Sequence, residues 1–199
     1  MTDPRRQLWY KTNIHVEAPK KCFLYTLSQL EADYIKEVYV HIYPDMDLDH
    51  GIFPTSSHKT AELNVSGEVF GSKTSRNSRS SYVRAFWTLK DGKLATFDEM
   101  GLTPRAGVIL DFLRHSFILN DETFTHWLAR VEWFLPLPDD IAFKYGKPVE
   151  CWQAYGRENM GPASFIPVCR LLDKCVHCYR RIRGRDTLVI VPRIKNSNF

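Results

Sequence analysis

Long apolar runs are missing from this 199-residue chain. Nowhere do about 18 apolar residues follow one another, so no membrane-spanning helix and no membrane partner are expected. The opening MTDPRRQLWYKTN holds no apolar h-region, and the closing PRIKNSNF carries no lipidation motif. Neither a secretory leader nor a lipid anchor is therefore expected. Cysteines are few and odd in number: Cys22, Cys151, Cys169, Cys175 and Cys178. That argues against a disulfide framework and for reduced thiols in a nuclear or cytoplasmic, non-secreted protein. Ten Gly and eleven Pro are too few for a collagen-like or low-complexity chain.

Catalytic signatures are also missing. No Ser sits in a Gly-x-Ser-x-Gly elbow, and no Cys lies in a protease signature. Gly71-Ser-Lys-Thr-Ser75 lacks the first Gly and the strand-to-helix setting of a P-loop. Asp45-x-Asp47-x-Asp49 resembles the start of a calcium loop, but His50 stands where the sharp turn needs Gly and Ser56 where Glu is needed. The first expectation is thus a non-catalytic protein with no cofactor and no metal.

What is present is core-forming material. Apolar residues make up 44% of the chain and aromatics 13%, enough for one large domain. Leu24, Leu27, Leu30, Tyr34 and Ile35 recur at helical spacing and predict a helix over 24–35. Val38 to Tyr43, rich in β-branched and aromatic residues, predicts a strand. Short strands between turn signals follow: 62–65, 68–70, 81–89, 149–155, 165–168 and 188–191. Asp91-Gly92 and Thr103 to Gly107 read as breaks, and 108–119 fits a helix as well as a strand. Over Phe124 to Phe134, Trp127, Ala129, Val131 and Trp133 share one face. His126, Arg130 and Glu132 take the other, which predicts a half-buried antiparallel strand. The predicted class is mainly β: an antiparallel, partly open barrel with an N-terminal helical extension, divided as 1–60 (extension, with one helix and one strand) and 61–195 (barrel).

Three stretches carry a family likeness: Thr125 to Phe134, Gly146 to Trp152, and Ala163 to Val176. Together they resemble the second half of a BAH (bromo-adjacent homology) domain. That family has an A-x-V-x-W-F strand and a closing segment of the P-V-x-R-I-x-x-K-C-x-V type. Gly67 to Arg76 and Ser80 to Trp87 add a similarity to barrel modules at or near the C-terminal ends of proteins encoded by, or linked to, DNA transposons. The likeness spans roughly residues 62–192. It implies a β-rich barrel and an interaction role in chromatin, where some members read methylated histone lysines.

Charge is patterned rather than abundant, with a net +4 overall. Residues 71–93 carry +5, residues 170–195 carry +6, and residues 31–50 carry −5. A basic block releases condensed counterions when it meets phosphates, and Arg presents a planar fork to phosphate oxygens. The candidate nucleic-acid contacts are Lys73, Arg76, Arg79 and Arg84, with Arg180, Arg181, Arg183 and Arg185. Hydroxyls and backbone N–H groups of the 71–75 loop would add donors. Tyr82, Phe86, Trp152 and Tyr155 are candidate aromatic contacts, for a methylated lysine or for stacked bases. Trp127 and Trp133 are expected to fill the core. Cys175-Val-His-Cys178 has the spacing of half a zinc site, but no second pair completes it, so buried thiols are expected instead.

The leading expectation is a binding module that docks on DNA or RNA through both basic segments. One alternative is a reader of a histone or another nuclear protein, with the basic segments paired to the acidic one. The other is a metal-dependent nuclease built on Asp45, Asp47 and Asp49 with His50 and Glu62.

Overall fold

The computed structural model describes residues 14–76, 78–88, 94, 104–138 and 148–193. The expected Asp91-Gly92 turn lies outside them, as do Lys90, Lys93 and Lys195 of the basic blocks. The elements are β1 (Val16–Glu17), β2 (Phe23–Thr26), α1 (Gln29–Ile42), β3 (Ser56–Thr60), β4 (Glu62–Val65), β5 (Glu68–Gly71) and β6 (Tyr82–Ala85). They continue as β7 (Arg105–Leu119), β8 (Glu122–Pro136), β9 (Glu150–Arg157), β10 (Phe165–Pro167), β11 (Leu171–Ile182) and β12 (Arg185–Pro192).

Six strands close on themselves in the order β7-β8-β9-β12-β11-β6 and back to β7, every pairing antiparallel. The protein is thus mainly β, an antiparallel barrel with a helix on its N-terminal side. The ring itself is closed. Its open edges belong to added strands: β3 and β2 extend from β7, and β10 extends from β8. Strands β1, β4 and β5 form a separate small sheet.

Tight turns set the hairpin registers. Ser66-Gly67, Asn120-Asp121 and Arg183-Gly184 each hold two consecutive positive φ angles, the backbone of a two-residue turn whose twist matches the strands. Gly107 has a different reason to be glycine. A Cβ there would lie 2.5 Å from Val131 Cγ1 and 2.8 Å from the Glu132 carbonyl oxygen, so β7 and β8 meet this closely only without a side chain.

The barrel interior draws on all six strands. Tyr82, Ala106, Val108, Phe134, Trp152, Cys175, Leu188 and Ile190 pack together. The outer faces of β6, β7 and β8 supply a second core shared with α1, including Val83, Ile109, Val131 and Trp133. Trp133 is buried and Trp127 partly so, in line with the expected filling role.

The strand expected over 38–43 is not there. Val38 to Ile42 continue α1 and Tyr43 caps it, while Leu24 to Thr26, read as helix, belong to β2. Ile35, Val38, Tyr39 and Ile42 are buried at helical spacing, and each such burial contributes about 1.5–3 kcal/mol, which outweighs the weak strand preference of Val and Tyr. The start signal is a capping box: the Ser28 side chain accepts from the Glu31 N–H, and the Glu31 carboxylate accepts from the Ser28 N–H at 2.9 Å. Arg105 to Gly107, read as a break, are the first residues of β7, and the ambiguous 108–119 is its continuation as a strand. Three more strands escaped the sequence reading: β1, β3 and β11.

Polar side chains fasten α1 to the sheet. Arg130 bridges Glu31 of the helix start to Asp111 of β7, and Lys59 reaches Asp111 at 3.0 Å. Tyr39 donates its hydroxyl proton to Nδ1 of His115, whose Nε2 donates to the Pro54 carbonyl at 2.8 Å. Both imidazole nitrogens are thereby used in the neutral ring, and burial pushes the His115 pKa down. His126 contacts the Tyr43 hydroxyl at 2.7 Å, and burial with the nearby His115 lowers its pKa to about 4. Residues 14–60 therefore share both sheet and core with the barrel.

Candidate binding site at the barrel mouth

One end of the barrel opens into a cleft of about 470 Å³. Its walls are inward-facing residues of five ring strands: Tyr82 of β6, Val108 of β7, Glu132 of β8, Arg157 of β9, and His177 and Tyr179 of β11. The loop before β6 completes it with Lys73, Ser78, Arg79 and Ser81. Barrel mouths are common ligand sites because strand ends converge there around a concavity.

Strand periodicity explains the β11 contribution. Cys175 points into the core, so His177 and Tyr179 point the same way as the strand leaves it, and Arg181 follows on that side. Aromatic planes pack through this wall. Tyr82 stacks on His177 with centroids 3.5 Å apart and on Phe134 at 6.0 Å. Burial and a hydrogen bond with Tyr179 push the Tyr82 phenol up to about 12. His177 is pushed down, by burial first and then by the charge of Arg79, so it sits neutral beside that arginine at pH 7. The Arg157 guanidinium lies 4.2 Å over the Phe134 ring, and it donates to the Gly156 carbonyl at 2.9 Å. Lys73 meets Glu132 at 3.6 Å while remaining mostly exposed.

The loop is fixed from within. Ser72 N–H donates to the Ala61 carbonyl, Lys73 N–H to that of Ile109, and Ser75 N–H to that of Ser72. Those three amides, expected as anion donors, are thus engaged inside the protein.

Of the eight basic residues expected to contact nucleic acid, Lys73 and Arg79 line this cleft. Arg181 lies on the same side of its strand. Arg185 lines a neighbouring cleft with Tyr155, Gln153 and Asp186. Arg76 lines a third, with Lys20, Lys21 and Phe23. Arg180 lies on the outer face of the barrel, by alternation with Tyr179. Arg183 occupies the β11–β12 turn.

Arg84 lies inside. It donates to both Asp173 oxygens, at 3.0 and 2.6 Å, and to Glu150 at 2.9 Å. The Asp173 hydrogen bonds, ahead of the opposing effect of burial, hold its pKa above the usual range.

Among the aromatic candidates, Tyr155 is 79% exposed and stacks on Tyr179 at 6.3 Å. Tyr82 forms the cleft wall, and Trp152 packs in the barrel core while donating to Glu150 at 3.1 Å. Phe86 follows β6, its N–H bonded to the Arg170 carbonyl.

Cys175 and Cys178 stand an odd number of residues apart on one regular strand, so their thiols leave opposite faces. Cys175 is buried, its thiol pKa raised above all by that burial, and Cys178 is exposed. Among the described residues, no three His, Cys, Asp or Glu side chains converge as a metal site would require. Asp47 caps the short turn at Leu48 by accepting from the Asp49 N–H, Asp49 pairs with Lys36 at 3.3 Å, and His50 lies 3.6 Å from Asp47. Glu62 lines a different cleft from Asp45, Asp47 and His50.

The sequence reading missed Arg157, Glu132, His177 and Tyr179. The last two are legible as the inward half of an alternating Cys175, His177, Tyr179, Arg181 set, which the count of charges over 170–195 hides. No protein-family model, no curated protein and no solved structure matches this chain. Among the described residues, no helix is long and apolar enough to cross a membrane.

Proposed function

We propose that this chain is a non-catalytic binding module that docks on nucleic acid at the barrel mouth. One observation carries the reading: the loop with Lys73 and Arg79 and the strand with His177 and Tyr179, about 100 residues apart, line a single cleft together with Arg157. Cations beside stacked aromatic rings supply the two interactions a nucleic acid uses most, phosphate neutralisation and base stacking. Within this proposal the module is BAH-like, chromatin-associated or transposon-derived, and nuclear, on the strength of the segments quoted above.

The histone-reader alternative fits the cleft less well. A methylated lysine is a cation, and Lys73, Arg79 and Arg157 would oppose it. Three cations of the basic segments also pair elsewhere than with the acidic 31–50 segment: Lys73 meets Glu132, Arg84 meets Asp173 and Glu150, and Lys174 meets Glu68. The test is oligonucleotide binding titrated with salt. Binding at about 50 mM salt that weakens linearly in log–log form supports the proposal, whereas no binding there sinks it.

A further inference from the structure

We infer that the nucleic acid this module takes is single-stranded, running from the barrel mouth across the Tyr179–Tyr155 pair toward Arg185. This rests on the nucleic-acid reading of the same site.

The mouth and its neighbouring cleft are separate concavities, of about 470 Å³ and about 340 Å³. Tyr179 lines the first, and Tyr155 lines the second together with Arg185 and Gln153. The two tyrosines lie nearly parallel, 14° between planes, and are 49% and 79% exposed. They thus form an aromatic ridge between two clefts, with Arg79 and Arg157 on one side and Arg185 on the other. A chain of phosphates with bases free to turn fits that sequence of contacts: phosphate, stacked base, phosphate.

A duplex fits it poorly. Its base faces are stacked on one another, so the ridge gains nothing from them. A duplex needs cations spread over one broad face, whereas Arg84 is inside the barrel, Arg180 is on its outer wall and Arg76 lines another cleft. Tyr82 is stacked on both His177 and Phe134, so the exposed platform is the Tyr155–Tyr179 pair.

The experiment is fluorescence anisotropy of the full chain with a labelled oligo-dT of about 12 nucleotides, the scale of a small binding domain, and with a duplex of equal length. Wild type, Tyr155→Ala, Tyr155→Phe and Arg185→Gln are compared, with circular dichroism confirming that each is folded. The single strand should bind more tightly than the duplex. Tyr155→Ala should weaken it roughly 5- to 150-fold, the value of one stacked base, without changing the salt slope, while Tyr155→Phe binds like wild type. Arg185→Gln should lower the slope by about 0.7, one single-strand phosphate contact. Duplex binding equal to or tighter than single-strand binding, or a Tyr155→Ala variant that binds like wild type, overturns this inference and leaves the broader reading standing. Binding of neither oligonucleotide overturns both.

Discussion

Arg84→Met should cost this protein a large share of its stability. The guanidinium is 16% exposed and answers two carboxylates: Asp173 bidentately, and Glu150. Removing it leaves two negative charges inside the barrel, beside the Cys175 thiol and the Trp152 indole. Breaking a buried ion pair from one side costs about 3–5 kcal/mol, more than the pair itself contributes, because the stranded partner keeps its desolvation penalty. With a urea dependence of about 2 kcal/mol per molar, the unfolding midpoint should fall by roughly 2 M. Equilibrium unfolding followed by tryptophan fluorescence reads this directly. The control is Arg84→Met with Asp173→Asn and Glu150→Gln, which removes the charges yet keeps an acceptor for the indole N–H. It should recover more than half of the loss. A midpoint within about 0.3 M of wild type for Arg84→Met, combined with a reduced salt slope for oligonucleotide binding, would refute the interior placement and return Arg84 to the phosphate-binding set.

Acid should unfold the protein in a defined window. His126 and His115 are held neutral, with folded pKa values below the ordinary 6.5. Their contribution is complete above pH 6.5 and is lost as pH falls toward the folded value, about 4 for His126, amounting to at most about 3 kcal/mol for that residue. Urea midpoints at pH 7 and pH 5 should show it, and a variant carrying His126→Gln should show a smaller difference. Gly107→Ala should destabilise by about 1–3 kcal/mol through the collision with Val131 and the Glu132 carbonyl, read from its melting temperature. In native protein a thiol reagent should label Cys178 promptly and Cys175 only on unfolding, and chelator should leave the melting temperature unchanged; equal labelling would place both thiols at the surface.

The parts of this fold that were legible in the sequence are those where local pattern and tertiary setting agree. The alternation from Phe124 to Phe134 gave β8, and Glu62 to Phe70 gave the β4–β5 hairpin, because each strand buries one face and carries its own turn. Val38 to Tyr43 misled because β-branched and aromatic residues also suit a buried helix stripe; the Ser28–Glu31 capping box was the deciding signal. β11 was obscured by its own arginines. Its inward residues are polar at the mouth, where a barrel strand leaves the core, so no apolar alternation marked it. Arg84 shows the limit of counting charge along a chain. Its pairing partners lie 66 and 89 residues away, and only closure of the ring brings them to it. Residue type alone marks Tyr82 and Tyr155 as aromatic contacts; their gathering with Tyr179 and His177 follows from strand order.

The most direct measurement compares two arginines that are identical in charge and opposite in placement. Salt-titrated single-strand binding is recorded for wild type, Arg79→Gln at the mouth and Arg180→Gln on the outer wall. A ligand held in the mouth predicts that Arg79→Gln weakens binding and lowers the log–log slope by about 0.7, while Arg180→Gln leaves both near wild type. Equal losses from the two variants would mean that the ligand senses overall charge rather than the cleft, and would contradict a binding site at the barrel mouth.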